Sequence, residues 1–116
     1  MRVHQVIVGA RDGDAITSIA QQIESVLVER WDSKIFGVYV DPTMAHSVQG
    51  IAKLSAQSSE EDALIVHLSF GDELFEEAVR QFPGRLIGFF HNITPPEFYR
   101  EFQPEFADRL DSGLQF

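Results

Sequence analysis

The chain has no cysteine, which excludes a disulfide framework and a thiolate metal site. Basic residues are scarce: nine Lys and Arg stand against eighteen Asp and Glu, for a formal net charge of −9. Nucleic-acid binding and docking on anionic lipid both depend on basic clusters, so this balance argues against either partner. No apolar run approaches the roughly 18 residues of a membrane-spanning helix, and the N-terminus lacks a signal-peptide pattern. We therefore expect a cytoplasmic protein without a transmembrane segment.

Several motifs that bind cofactors or attack substrates are also missing. Residues 9–14 follow the first predicted strand, but they have neither the Gly-x-Gly-x-x-Gly spacing of a dinucleotide site nor the pattern of a P-loop. No Gly-x-Ser-x-Gly marks a hydrolase nucleophile. The spacing of the histidines and carboxylates does not indicate zinc. The sequence thus predicts no bound cofactor and no metal.

The chain instead alternates apolar strands with amphipathic helices over its 116 residues. This alternation predicts one α/β domain, 1–116, with a Rossmann-like open, mostly parallel sheet, helices on both faces and the first strand at its centre. A doubly wound domain would ordinarily continue with another strand and helix, so we expect an incomplete N-terminal domain. The predicted strands are 3–8, 34–40, 63–68 and 85–90, and the predicted helices are 16–30, 72–82 and 94–102, with a short helix within 43–50 and a short strand at 51–54.

Polar residues end the strand at 85–90, at the edge where open α/β sheets bind their ligands. His91 and Asn92 follow its apolar run directly. Thr94 and Glu97 then form a capping box that starts a helix. For His91, a functional role and an ordinary strand-end position with Asn92 in a turn are equally compatible with the sequence.

The strand at 63–68 carries the next candidates. His67 lies near its end, either as a functional group or as a buried core histidine, and Ser69 follows it. Ser69 is alternatively the N-cap of the next helix, with Asp72 as its capping-box partner. His4, His67 and His91 fall on three predicted strands and could converge in space.

The loop at 9–14 precedes a predicted helix. Backbone N–H groups and the helix dipole suit an anion such as a diphosphate at this position. The alternative is a tight turn at Gly13 with Asp14 as a helix N-cap. Asp12 and Asp14 would repel a phosphate unless their side chains turn back to cap the helix.

Two further groups of residues concern surfaces. The acidic run at 60–62 is predicted to be a solvated loop. The aromatic residues are predicted to be core, with an apolar interface as the alternative, so a homo-oligomer is possible. They are Phe89, Phe90, Phe98, Tyr99, Phe102, Phe106 and Phe116.

Residues 91–98, His-Asn-Ile-Thr-Pro-Pro-Glu-Phe, resemble a segment of the bacterial family 4 (group 1) glycosyltransferases of GT-B fold. Residues 13–16 are similar to the start of the first helix in that group, and residues 62–69 are similar to its D-x-L-I-x-H-x-S segment. Residues 111–113 fall where the group has a glycine before its next helix. The resemblance covers nearly the whole chain, with 41–61 matched poorly.

The resemblance implies a retaining glycosyltransferase that needs no metal and has a cleft between two Rossmann-like domains. The N-terminal domain of such enzymes mainly binds the acceptor, and the C-terminal domain binds the nucleotide-sugar donor. The C-terminal domain and its donor-binding carboxylate motif are absent from these 116 residues. The acceptor is unknown, and we expect this chain alone to be inactive.

The resemblance also implies roles for individual residues. The loop after the first strand faces the donor diphosphate, which here is residues 9–14, with Gly13 the best match and Asp14 as a further substrate contact. Polar residues at the strand ends line the cleft, which implies substrate contacts for His91, Asn92 and Thr94. The catalytic candidates, nearest the reacting centre, are His67, Ser69 and His91. The alternative from a different class is a non-catalytic, flavodoxin-like small-molecule-binding or regulatory module.

Overall fold

The computed structural model describes residues 1–69 and 71–91. This part of the chain forms a five-stranded, all-parallel sheet in the order β3-β2-β1-β4-β5, so the predicted α/β class with a central first strand is confirmed. The predicted strands at 63–68 and 85–90 have the predicted bounds. In chain order the elements are β1 (Val3–Ala10), α1 (Ala15–Leu27), β2 (Ile35–Val40), β3 (Val48–Gly50), β4 (Ala63–Leu68), α2 (Glu73–Gln81) and β5 (Arg85–Phe90).

The order of the strands places a topological switch point between β1 and β4. From β1 the chain builds outward through β2 to β3 on one side, and then returns to build β4 and β5 on the other. This is the order of the first five strands of the Rossmann fold, 3-2-1-4-5-6, and not the 2-1-3-4-5 order of flavodoxin-like folds. Ligands of open α/β sheets bind beside the carboxyl ends of the strands at such a point.

The sheet has an apolar core on each face, because side chains along a strand alternate between the two faces. On one face, Val6 and Val8 of β1 pack with Phe75 and Val79 of α2. The opposite core contains α1 and is formed by Ile7, Ala10, Ile16, Ala20, Ile35, Met44 and Val48. Helices thus cover both faces, as predicted. Burial on both faces explains the near-continuous apolar runs of the strands.

Residues 43–62 differ from the prediction. The short strand is Val48–Gly50 and not 51–54, and short 3₁₀ turns occupy Pro42–Met44, Ile51–Lys53 and Ser55–Gln57. Val48 pairs with Ile35 and is 2% exposed. Its position is set by pairing with β2 and by the core, which a three-residue segment cannot signal through periodicity.

The acidic run at 60–62 also differs from the prediction, because Asp62 is buried at 3% exposed. Its carboxylate accepts hydrogen bonds from the backbone N–H and the guanidinium of Arg2, at 2.7 and 2.9 Å. The backbone N–H and hydroxyl of Ser59 donate to it at 2.9 and 3.0 Å. Although burial opposes it, this set of donors holds the pKa of Asp62 below its usual range.

Among the helices in the described part of the chain, none combines the length and the apolar composition needed to cross a membrane. Of the aromatic residues, Phe89 and Phe90 are 37% and 57% exposed, so the core prediction is wrong for them. The other five lie outside the described residues. The prediction of one incomplete domain over 1–116 also involves those residues and stays a prediction.

Candidate functional site

An open cleft of about 540 Å³ lies at the carboxyl ends of β1, β2 and β4, beside the start of α1. Its volume falls within the roughly 300–1,000 Å³ of small-molecule sites. We call it the switch-point cleft, because it occupies the place where open α/β sheets bind their ligands. It is lined by Val8, Gly9, Arg11, Asp14, Ile16, Tyr39, Val40, Asp41 and Ser69.

The loop between β1 and α1 forms one wall of this cleft. Gly13 has a φ of +80°, a left-handed conformation that favours glycine, and a Cβ at this position would meet nothing within 4 Å. Asp14 caps α1, because its Oδ2 accepts hydrogen bonds from the N–H and the hydroxyl of Thr17, each at 3.0 Å. The turn and the cap proposed as the structural alternative for this loop are therefore both present.

Two backbone N–H groups of the loop have partners within the loop or in the first turn of α1. The N–H of Arg11 donates to the Thr17 hydroxyl at 3.2 Å, and the N–H of Asp14 donates to the Arg11 carbonyl, also at 3.2 Å. Within residues 1–69 and 71–91, those of Asp12, Gly13, Ala15 and Ile16 have no hydrogen-bond acceptor. These four groups are available to an anion at the helix N-terminus.

A buried hydrogen-bonded chain runs from α1 through β1 and β4 to His91. The Gln5 side-chain amide donates to the carbonyl of Ala20 at 2.8 Å, which turns its Oε1 toward His67 Nε2 at 2.7 Å. His67 Nδ1 lies 2.9 Å from His91 Nε2. Because Gln5 Oε1 can only accept, the neutral His67 ring carries its proton on Nε2, and His91 Nε2–H donates to His67 Nδ1.

Burial keeps both imidazoles of this hydrogen-bonded chain neutral near pH 7. Burial, and to a smaller extent the charge on a protonated His91, lower the pKa of His67 from 6.5 to about 4. Burial also lowers the pKa of His91, while the Asp14 carboxylate opposes that shift. The Phe89 ring covers both imidazoles, with its centroid 5.3 Å from that of His67 and 4.9 Å from that of His91. The arrangement fixes the orientation and the tautomer of the His91 ring.

The structure brings most of the sequence-predicted site residues to one edge of the sheet. Ser69 and Asp14 line the switch-point cleft, and Asp14 is close enough to influence the pKa of His91. His67 is 0% exposed, so it has no surface for direct contact with a ligand, and His91 is 6% exposed. Asn92 and Thr94 lie outside the described residues.

Two sequence expectations are wrong in this region. Ser69 is not the N-cap of α2, because Asp72 Oδ1 accepts the N–H groups of Leu74 and Phe75 at 3.0 and 3.1 Å. His4 does not join the other two histidines. Its ring is bonded to the Lys34 N–H at 3.0 Å and to the Gln57 carbonyl at 3.2 Å.

Sequence reasoning missed Gln5, Tyr39 and Asp41, and it included Arg11 only as part of the loop 9–14. Gln5 was visible as a polar residue within an apolar strand, and Asp41 as an acidic residue directly after β2, at the same edge as the loop 9–14. Arg11 and Tyr39 carried no comparable signal. These three cleft residues, Arg11, Tyr39 and Asp41, supply a cation, an aromatic ring and a carboxylate.

Local hydrogen bonds fix the two cleft residues at the end of β2. The Tyr39 hydroxyl donates to Asp72 Oδ2 at 2.7 Å, and this bond raises the pKa of Tyr39. Asp41 Oδ1 accepts the N–H and the hydroxyl of Thr43 at 3.0 and 2.8 Å, which lowers the pKa of Asp41. The cleft therefore presents a neutral phenol and an ionised carboxylate at neutral pH.

No group of three His, Asp or Glu side chains within residues 1–69 and 71–91 is arranged to hold a metal ion. Comparison with protein-family models, with curated proteins and with solved structures found no match to this chain. A family assignment therefore rests on the sequence resemblance alone.

Proposed function

We propose that this chain is the N-terminal, acceptor-side part of a retaining glycosyltransferase of GT-B fold. Such an enzyme transfers a sugar from a nucleotide-sugar donor to an acceptor. The observation that carries the proposal is the convergence of three separate segments that resemble this family. Residues 13–16, the end of the segment 62–69 and His91 lie at the carboxyl edge of one sheet, with His67 Nδ1 2.9 Å from His91 Nε2.

The start of α1 supplies the groups for the donor diphosphate in this proposal. The N–H groups of Asp12, Gly13 and the first turn of α1 donate to its oxygens, aided by the helix dipole. The Asp14 carboxylate accepts hydrogen bonds from the N–H and the hydroxyl of Thr17. These two dipoles partly offset the repulsion between the carboxylate and a phosphate. A second domain binds the rest of the donor.

His91 orients a sugar hydroxyl, and Gln5 and His67 are positioning residues that hold its ring. The Ser69 hydroxyl is the group of the switch-point cleft closest to β4, beside the reacting centre of this proposal. No metal takes part, and the enzyme acts in the cytoplasm. Asn92 and Thr94 extend the acceptor contacts beyond the described residues.

The test uses the full-length protein that contains this chain, incubated with a panel of nucleotide-sugars while release of the nucleoside diphosphate is measured. We expect His91→Ala to lower kcat/KM at least about tenfold, because tenfold corresponds to about 1.4 kcal/mol, the value of one hydrogen bond. The matched control is His46→Ala, which removes an exposed imidazole and should leave the rate unchanged. Far-UV circular dichroism checks that both variants remain folded.

Two results contradict this proposal. One is sugar transfer at a meaningful rate by residues 1–116 alone, because the donor-binding half is missing from them. The other is a full-length protein that binds ligands in the switch-point cleft but transfers no sugar from any donor. That second result would identify a non-catalytic small-molecule-binding module.

A further inference from the structure

A second groove lies on the face of the sheet that α2 covers. We call it the α2 groove, because its walls are one side of α2 and the 3₁₀ turns at Ile51–Lys53 and Ser55–Gln57. Its volume is about 480 Å³, within the roughly 300–1,000 Å³ of ligand sites. It shares no lining residue with the switch-point cleft, so it is a separate surface of the molecule.

The groove follows from the connection between β3 and β4. Parallel strands are usually joined by an α-helix that packs on the sheet beside its neighbouring helix. Residues 51–62, all within the described part of the chain, form only two short 3₁₀ turns instead. Leu54 of this connection reaches the core on the α2 face, but a gap remains between the turns and α2. This gap lies where a crossover helix would otherwise pack against α2.

The base and one wall of the α2 groove are apolar. Leu74, Ala78 and Phe82 recur every four residues, so they form a ridge along one side of α2. Phe82 is 4% exposed and Leu54 is 3% exposed, so these two side chains lie at the base. Leu74 is 61% exposed at the rim. A groove of this form suits the apolar face of an amphipathic helix, whose side chains recur at the same spacing.

The rim of the groove is acidic. Glu77 Oε1 accepts a hydrogen bond from the Gln81 side-chain amide at 2.7 Å, and Glu77 Oε2 lies 3.7 Å from Arg80 Nη1. Residues 72–81 carry four Asp and Glu against one Arg, which gives this segment a formal charge of −3. An apolar base with an acidic rim complements an apolar helix face that is flanked by Lys or Arg.

The same charge argues against the two occupants that this chain could itself supply. Residues 92–116 contain five Asp and Glu against two Arg, a formal charge of −3, and a second copy of the whole chain carries −9. Like charges brought together across an interface oppose association. A basic helix from another protein fits both the apolar base and the charge of the rim.

We infer that the α2 groove is a docking site for a basic amphipathic α-helix of a partner protein. Apolar side chains of that helix pack against Leu74 and Ala78, and its Lys or Arg side chains face Glu77 and Glu73, which lies one turn earlier on α2. This docking does not depend on sugar transfer, so it is tested separately from the proposed function.

The experiment is a titration of the ¹⁵N-labelled 116-residue chain with a synthetic peptide, followed by the backbone amide resonances. The probe is about 14 residues long, or roughly four helical turns, with leucine on one face and lysine on the other. One matched peptide has the same composition in a scrambled order, which removes the apolar face. The other has glutamate in place of lysine, which keeps the apolar face and reverses the charge.

We expect the lysine peptide to shift the amides of Ser55, Leu74 and Ala78, which line the groove. Each matched peptide should bind at least about tenfold more weakly at about 0.15 M salt. Raising the salt to about 1 M shortens the Debye length from about 8 to about 3 Å and should narrow the difference between the lysine and glutamate peptides. The preference over the scrambled peptide should remain, because it arises from burial of apolar surface.

Leu74→Gln is the informative variant, because it removes an exposed apolar side chain from the rim without opening the core. We expect it to bind the lysine peptide about tenfold more weakly. The matched control is Val26→Gln, which removes a similarly exposed apolar side chain of α1 on the opposite face of the sheet. Its affinity for the peptide should be unchanged, and thermal unfolding checks that both variants remain folded.

Several results overturn the inference. They are no shift of the groove amides up to about 1 mM peptide, equal binding of either matched peptide, and shifts centred on Val26 instead of the groove. Nuclear Overhauser contacts between the groove and residues 92–116 would show that the chain's own C-terminal segment is the occupant. Groove amides that shift with protein concentration in the absence of peptide would identify a second copy instead. A full-length protein that binds the peptide but transfers no sugar would contradict the proposed function alone.

Discussion

At the scale of single residues, Gln5 connects α1 to the candidate site. Its amide donates to the Ala20 carbonyl in α1, and its oxygen accepts from His67 in β4. Gln5 and His67 are both 0% exposed, so neither hydrogen bond can be replaced by one to bulk water. A buried polar group that loses its partner costs about 1–3 kcal/mol.

Gln5→Leu should therefore destabilise the protein by about 1–3 kcal/mol, because it leaves His67 Nε2–H without a partner and removes the second donor to the Ala20 carbonyl, which keeps its hydrogen bond within α1. Urea unfolding followed by circular dichroism measures the change. The matched control is Gln22→Leu on the exposed side of α1, which should stay within about 0.5 kcal/mol of the parent. Equal stability of the two variants would show that the buried chain contributes nothing to folding.

At the scale of secondary-structure elements, the β1–α1 junction depends on one backbone conformation. Gly13 at φ +80° turns the chain so that Asp14 can cap α1. Gly50 is a natural comparison, because a Cβ there also meets open space, while its φ of −67° is accessible to any residue. The two positions therefore differ in backbone conformation and not in crowding.

We expect Gly13→Ala to destabilise the fold by about 1–2 kcal/mol, because the left-handed region costs an L-residue about that much. Gly50→Ala should be neutral or stabilising by up to about 1 kcal/mol, because alanine reduces the entropy of the unfolded chain. Thermal unfolding of both variants compares them directly. A loss of stability as large at Gly50 as at Gly13 would contradict the conformational explanation.

The strands show how far sequence patterns predict this fold. Apolar runs predicted β4 and β5 with their observed bounds, because strands buried on both faces leave a continuous apolar signal. Patterns failed where a residue's environment is set by distant partners. Asp62 is buried by bonds to Arg2, 60 residues away, and Gln5 reaches His67 across 62 residues. Such pairings have no periodicity, so β3, the Asp62 site and the cleft residues on β2 required the structure.

At the scale of the whole molecule, four buried ionisable groups within residues 1–69 and 71–91 favour folding at neutral pH over acid. The pKa values of His4, His67 and His91 are lowered by burial, so these rings are more easily protonated in the unfolded chain. The pKa of Asp62 is lowered by its hydrogen bonds, so its contribution is present above its usual pKa and is lost only in stronger acid. Histidine and aspartate contributions therefore disappear in different pH windows.

The pH range in which the buried histidines gain protons gives a prediction for the free energy of unfolding. His67 has a pKa of about 4 when folded and of about 6.5 when unfolded, so between these values the unfolded chain binds more protons. Stability is thus unaffected by His67 above pH 6.5 and should fall by about 3 kcal/mol in total as the pH drops to 4. Urea unfolding at a series of pH values measures this dependence of stability on pH.

His67→Gln should flatten the pH dependence, whereas His46→Ala, which removes an exposed imidazole, should leave it unchanged. NMR titration of the His67 ring checks the cause directly, and a midpoint near 6.5 would show that burial does not control this proton.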